Sequence, residues 1–429
     1  MKKYIFLIIF FISFNLYASN IKILTLAKGI KYTLQYNRGL KVFYYNHTIS
    51  QANANIAKSP LFPQVNTFVS QTYLANQPLT RFEGLVLPTS EKSFDSFGID
   101  ATQTLYDFGA SHSFYKSKKT DIKISDEKIS LIKNITLLNF INTYFNCLDS
   151  NKIVLVAKEE VKSFQSHLKD AEDLFKQGVI TKNDLLQAEV KLADARQRLI
   201  TAKNNRRIQY EILNNMMGQS LTTQWKLQDI PLNTKKISIE IAIKTAEKKR
   251  KELKILNNQF KSLYYYKKYF RAKYFPKLFI EGDYSYVDLP YDETSKNQWA
   301  LILGINLNIF NGWKTKYEIK SLQEQQKQIL EEKNKTSNDI KLEVEKNYFD
   351  VLTNFQNIQV AETTIRQSKE NLRINTLKYR EGIGTATDVI DAITLLTTAR
   401  TDYYTDVYQY QESLTNLLYS MGDNLANIY

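Results

Sequence analysis

The chain has one cysteine, three histidines, seven prolines and thirteen glycines among 429 residues. A lone Cys147 forms no disulfide within one chain, and none is expected. His47, His112 and His167 stand apart, without the short spacings of a metal site. Nucleophile elbows, phosphate loops and paired cysteines are missing, and the carboxylates fall on helix-like runs rather than beside a candidate base. Neither catalysis nor a cofactor or metal is therefore expected. After the first residues, nothing approaches the roughly 20 apolar residues of a membrane helix.

What is present begins with Met1-Lys2-Lys3, the apolar run Tyr4–Leu16, and Tyr17-Ala18-Ser19-Asn20. A basic start, a short apolar stretch and small residues make an export signal over residues 1–19, cleaved near Ala18 or Ser19. As a membrane anchor the stretch is too short. No cysteine follows it, so lipid anchoring is not expected. An exported chain without membrane helices can meet a bilayer only through β-strands. The net charge of +14 comes from lysines interleaved with Glu and Asp along helix-like runs. Solvated helix faces, not a nucleic-acid surface, are the expectation.

A helical pattern over Leu24–Ala57, with Leu26, Ile30, Leu34, Leu40 and Phe43 in phase, ends at Pro60 and Phe62-Pro63. Two alternating runs follow, at 64–74 and 94–106, with Phe68 breaking the alternation of the first. Between them Leu74–Lys92 reads as a loop. Ala110 to Gln177 holds no Gly or Pro, which gives roughly 100 Å of helix. Gly178 and Thr181 interrupt it, and a return run stops at Met217-Gly218.

The plan then repeats. Ile239–Lys273 answers the opening helix, and Phe275-Pro276 answers Phe62-Pro63. Strands are expected at 277–288 and 297–310, with Leu301, Leu303, Ile305, Leu307 and Ile309 on one face. A long hairpin over 314–421 answers the one over 110–217. From the strand–helix corner onward the offset is constant at about 204 positions. A duplication of this regularity divides the chain into repeats at 20–218 and 239–429, joined by a linker at 219–238. The fold class is mainly α with membrane β.

Four strands cannot close into a barrel, and an open sheet cannot span lipid. The chain is expected to oligomerise, two copies giving eight strands and three giving twelve. Long helices with a turn far from the strands would then line up as a tube. The competing reading is a trimeric coiled-coil surface protein without a lumen.

The doubled turn is the most specific feature. Tyr379–Asp391 reads Tyr-Arg-Glu-Gly-Ile-Gly-Thr-Ala-Thr-Asp-Val-Ile-Asp, and Phe175–Gln187 is its twin. Glycine permits the reversal, Thr181 and Thr385 can cap the returning helices, and Asp184 and Asp388 sit three residues on. Asp391 is matched by Gln187, an asymmetry that capping does not explain. Together with the duplicated plan, the turn resembles the TolC family of outer-membrane efflux proteins over essentially the whole mature chain. That resemblance implies a homotrimer with a twelve-stranded barrel in the outer membrane of a Gram-negative cell. A periplasmic α-helical barrel continues it, with an equatorial region at 218–240 and 421–429. It implies a passive exit duct for efflux or type I secretion, served by a periplasmic adaptor and an inner-membrane pump, proton-driven or ABC.

By the same resemblance Asp388 and Asp391 form carboxylate rings at a gate, and Asp184 and Tyr379 supply gate-closing hydrogen bonds. Gly384 stands where the family's best-known member has an arginine, so the charge-pair lock is expected to be weaker. The small, apolar tips Gly178-Val179-Ile180 and Gly382-Ile383-Gly384, with Thr181 and Thr385, are expected to carry adaptor docking.

Overall fold

The computed structural model describes residues 22–232, 237–288 and 296–429. The expected export signal and part of the 219–238 linker lie outside them. Strand β1 (Lys22–Leu24) leads into α1 (Leu26–Tyr36) and α2 (Arg38–Lys58), then β2 (Gln64–Tyr73), the short β3 (Leu79–Phe82) and β4 (Leu85–Pro88), and β5 (Ser93–Tyr106). The first long hairpin is α3 (Ala110–Lys176) with α4 (Lys182–Met216). After β6 (Trp225–Leu227) come α5 (Ile239–Lys249), α6 (Lys251–Ala272), β7 (Lys277–Val287) and β8 (Asn297–Asn306). The second hairpin is α7 (Lys314–Arg380) with α8 (Ala386–Ser420).

Both outgoing helices have 67 residues and both returning ones 35. At 1.5 Å per residue the outgoing helices reach about 100 Å. Among the described residues no helix is long and apolar enough to cross a membrane.

The larger sheet is antiparallel in the order β2-β5-β7-β8, and among the described residues both its outer edges are unpaired. Its register places Leu278 opposite Ile305, Ile280 opposite Leu303 and Tyr284 opposite Trp299, so one face is apolar and outward. Phe68, out of phase in the sequence, lies on the other face, and its ring covers Gly98. A Cβ on Gly98 would fall 2.3 Å from that ring. Phe279 covers Gly304 in the same way, so an aromatic filling a glycine gap recurs in the two halves.

Three expectations need correction. The 74–92 segment is not a plain loop. Leu79–Phe82 pairs with Leu85–Pro88 around Glu83 and Gly84, whose positive φ angles of 48° and 87° make the tight turn a hairpin requires. Strand β8 ends at Asn306, leaving Leu307 and Ile309 outside the ladder. Asn306 pairs with Lys277, and Pro276 just before that lysine lacks the N–H to extend the pairing. Finally, the opening helix of each repeat is broken in two. Asn37 caps α2 by accepting from the Leu40 amide at 3.2 Å and donates to the Met216 carbonyl at 3.3 Å. Arg250 sits at the corresponding break and donates to the Ser420 carbonyl at 3.3 Å.

Those breaks mark the equator, where the main core lies. It gathers Phe140, Tyr144, Phe145, Leu213, Met217, Leu414 and Leu417. The parallel pair β1–β6 crosses it, and the Tyr144 hydroxyl lies 2.9 Å from the Leu24 carbonyl and 2.7 Å from that of Gln228. Leu425 is fully buried in the same core, and Asn134 holds the segment around it through the Asp423 carbonyl at 2.7 Å.

Candidate functional site at the helix tips

A second core binds the two hairpins together near their turns. Leu185, Ala188, Leu192 and Ala195 of α4 recur at heptad-like spacing, and Ala386, Val389, Ile390 and Ile393 of α8 join Phe164, Ala171 and Leu174 of α3. Each outgoing helix ends in the same reversal. The Gly178 amide donates to the Phe175 carbonyl at 3.0 Å and Val179 to Leu174 at 3.0 Å. Gly382 donates to Tyr379 at 3.1 Å and Ile383 to Lys378 at 3.0 Å. Gly178 and Gly382 both have φ of 74°, left-handed values that glycine adopts without a Cβ penalty.

Capping boxes then start the returning helices. The Thr181 hydroxyl accepts from the Asp184 amide at 3.3 Å, while the Asp184 carboxylate accepts from the Thr181 amide at 3.0 Å and hydroxyl at 2.8 Å. Thr385 and Asp388 repeat this at 3.1, 3.1 and 2.7 Å. The Thr385 hydroxyl and amide hold the Asp388 carboxyl below the usual carboxylate range, so it stays ionised. Asp391, one turn further on, is exposed and makes no hydrogen bond or ion pair among the described residues.

Among the described residues of the single chain, Asp184 and Tyr379 make no hydrogen bond to each other. Asp184 is engaged with Thr181, and Tyr379 is only 2% exposed with its hydroxyl unpartnered. Tyr379 packs instead on His167, ring centroids 5.0 Å apart and planes inclined at 51°. His167 is equally buried, and both its ring nitrogens lack a partner. Burial lowers its proton affinity from the ordinary imidazole value, outweighing the opposing charge of Asp170. Asp170 itself is held by Arg380 at 3.0 Å, an ion pair linking α3 to α7. His167 lies with Phe164, Ala171 and Leu174 on one heptad stripe of the sequence, the one signal that marks it as a core residue.

Gly384 also has a structural reason. Its amide donates to the Lys378 carbonyl at 3.0 Å, and a Cβ there would lie 3.0 Å from the Lys378 Cβ and the Tyr379 nitrogen. The two tips touch, since a Cβ on Gly382 would meet Val179 at 3.5 Å. Val179 and Ile383 are 51% and 77% exposed, an apolar end on otherwise polar hairpins.

The outer membrane efflux protein model matches residues 30–219 and 242–423, one stretch for each repeat. The chain belongs to the outer membrane efflux protein family. Solved members share its fold. The Campylobacter jejuni CmeC outer membrane channel superposes with a TM-score of 0.81 at 17% identity, over 93% of this chain and 86% of that one. The outer membrane protein VceC of Vibrio cholerae gives 0.80 at 14% identity, over 93% and 96%. The open state of the Neisseria gonorrhoeae MtrE outer membrane channel gives 0.74 at 18%, over 93% and 89%. No curated protein matches in sequence.

As an outer-membrane efflux protein, the chain is the exit duct of an export system, seated in the outer membrane with a periplasmic extension. The family is one of channel proteins, and the lumenless coiled-coil reading is not favoured.

Proposed function

We propose that the duct is a homotrimer gated at the second tip of each chain. The unpaired edges β2 and β8 and the apolar outer face support closure with other copies, three of which complete a twelve-stranded barrel. The long hairpins then line a periplasmic tube. Its tips meet a periplasmic adaptor, which joins the duct to an inner-membrane pump of the proton-driven or ABC class. The exposed apolar pair Val179 and Ile383, flanked by Gly178, Thr181, Gly382 and Thr385, is the adaptor's docking end.

The observation that carries the gate is the difference between the twins. Asp184 and Asp388 both serve capping boxes, but three residues further on the second tip carries the exposed carboxylate of Asp391, without a partner among the described residues, where the first has the neutral Gln187. Three copies of Asp388 and Asp391 make stacked acidic rings that draw cations and resist anions. The closed tip is held through Tyr379 by packing on His167, with Asp184 shaping the turn. Single-channel recording in planar bilayers tests this, with a trivalent cation added on the periplasmic side. The wild-type duct is blocked, and Asp388→Ala with Asp391→Ala weakens the block severalfold. Equal block in the double variant removes the gate assignment.

A further inference from the structure

Where the strands give way to helices, a groove of about 690 Å³ opens between α6 and α7. Three cations line it: Arg271 in the last turn of α6, and Lys316 and Lys320 in the first two turns of α7. Tyr274, Phe275 and Ile319 supply its apolar wall. Among the described residues none of the three cations has a carboxylate within 4.0 Å. Glu324, the acid at the groove's far end, is taken by Lys327 at 3.1 Å. The Lys316 ammonium sits 5.0 Å over the Trp313 ring instead.

Ring contacts fix which side of the wall this groove faces. Tyr106 stands opposite Leu278 in the ladder, on the apolar face that carries Ile305. Phe108 packs on Tyr106 at 4.9 Å, and Phe275 stacks on Phe108 at 4.8 Å with planes 19° apart. Phe275 therefore continues the lipid side of the sheet. On α7, Lys316, Ile319, Lys320 and Gln323 form one stripe, and Leu322, Gln325, Ile329 and Glu332, which line a more polar groove shared with α2, α3 and α6, form the opposite one.

The height also fits. Lys316 lies about 5 Å along the helix from the corner, within a headgroup layer about 5–8 Å deep, and Lys320, about 10 Å along, slants its long side chain back toward that layer. Basic side chains over aromatic rings recur at this level in both repeats. Lys58 lies 5.2 Å from the Phe62 ring, and Lys273 lies 4.6 Å from both Tyr269 and Phe270. Aromatics of this kind anchor a protein at the membrane–water boundary, and cations beside them recognise anionic headgroups.

We infer that the α6–α7 groove is a headgroup site for an anionic phospholipid of the periplasmic leaflet of the outer membrane. Arg271, Lys316 and Lys320 hold the phosphate, and Tyr274, Phe275 and Ile319 flank the glycerol and the first carbons of the acyl chains. Such a lipid pins the joint between barrel and helices at its outer surface, apart from the tips where gating is placed.

The test uses the full mature protein in lipid nanodiscs or detergent, with its thermal midpoint followed during titration. Phosphatidylglycerol raises the midpoint of the wild type, whereas phosphatidylcholine and inorganic phosphate at equal concentration do not. Binding weakens about fivefold per cation removed, and on the order of a hundredfold in Arg271→Gln, Lys316→Gln, Lys320→Gln. A control with Lys335→Gln, Lys346→Gln and Lys369→Gln, all far down the exposed helices, keeps the full response. Lys320→Gln alone, a mild surface change, still shows the single-cation loss if the triple variant assembles poorly. An unchanged response in the groove variants, an equal loss in the control, or full stabilisation by inorganic phosphate overturns the assignment.

Discussion

Tyr379 carries its hydroxyl into an enclosed space beside His167, and that space returns no hydrogen bond. A buried polar group left unpaired costs about 1–3 kcal/mol, so the ring rather than the hydroxyl contributes to the closed tip. Tyr379→Phe is expected to leave open probability unchanged or lower. An increase would restore a hydrogen-bonding role toward Asp184. His167 makes the same contact sensitive to acid. Its folded form releases protons more readily than the unfolded chain, since burial disfavours the imidazolium by more than Asp170 favours it. The tip's stability is thus complete above pH about 6.5. It declines as the pH falls below that value toward the lower folded one. Open probability should rise between pH 7.5 and 5.5 in the wild type and stay flat in His167→Phe. A persistent rise in that variant would remove His167 from the mechanism. Nothing local in the sequence announces this pair: His167 and Tyr379 lie on different repeats and meet only when both hairpins pack.

At the scale of elements, the two repeats solve one joint twice with different residues. Gly218 and Gly422 end the returning helices with φ of 64° and 77°. A Cβ on the first would lie 2.9 Å from the Tyr36 Cβ, and on the second 2.8 Å from the Lys249 Cβ and 3.0 Å from the Arg250 nitrogen. These glycines admit the broken opening helix, while Asn37 and Arg250 reach across to carbonyls at matching places. Gly422→Ala therefore combines a left-handed strain of about 1–2 kcal/mol with a backbone clash. Gly109, with φ of 80°, has nothing within 4 Å of its would-be Cβ and carries the strain alone. Thermal unfolding should show a distinctly larger drop for Gly422→Ala than for Gly109→Ala, and equal drops would deny the close packing. The Met-Gly pair was legible as a helix stop. The break it packs against was not, because the apolar phase of Leu26, Ile30 and Leu34 runs on toward Leu40 and hides it.

Across the whole molecule, an apolar sheet face sits at one end and an apolar tip at the other, separated by about 100 Å of charged helix. That layout suits a duct fixed in one membrane and read by a partner near the other. Docking at the tips is sensitive to bulk, since Val179 and Ile383 project beside glycines that leave the turn open. Gly178→Trp with Gly382→Trp should abolish site-directed cross-linking to the periplasmic adaptor while trimers still form. Unchanged cross-linking would place the adaptor elsewhere.

Local chemistry determined much of this protein from sequence alone. The absence of Gly and Pro set the helix lengths, period-two alternation located the four strands of the larger sheet, and Thr-x-x-Asp after glycine set both turns. The repeat exposed the family and singled out Asp391 against Gln187. Tertiary structure decided what depends on residues far apart in the chain. Phe68 finds its reason only over Gly98, Gly218 only against Tyr36, and Arg250 only where Glu343 and the Ser420 carbonyl meet it. The cations of the α6–α7 groove likewise converge across a sheet hairpin. Periodicity reports which face of an element is buried, but not which distant side chain buries it. That choice belongs to packing.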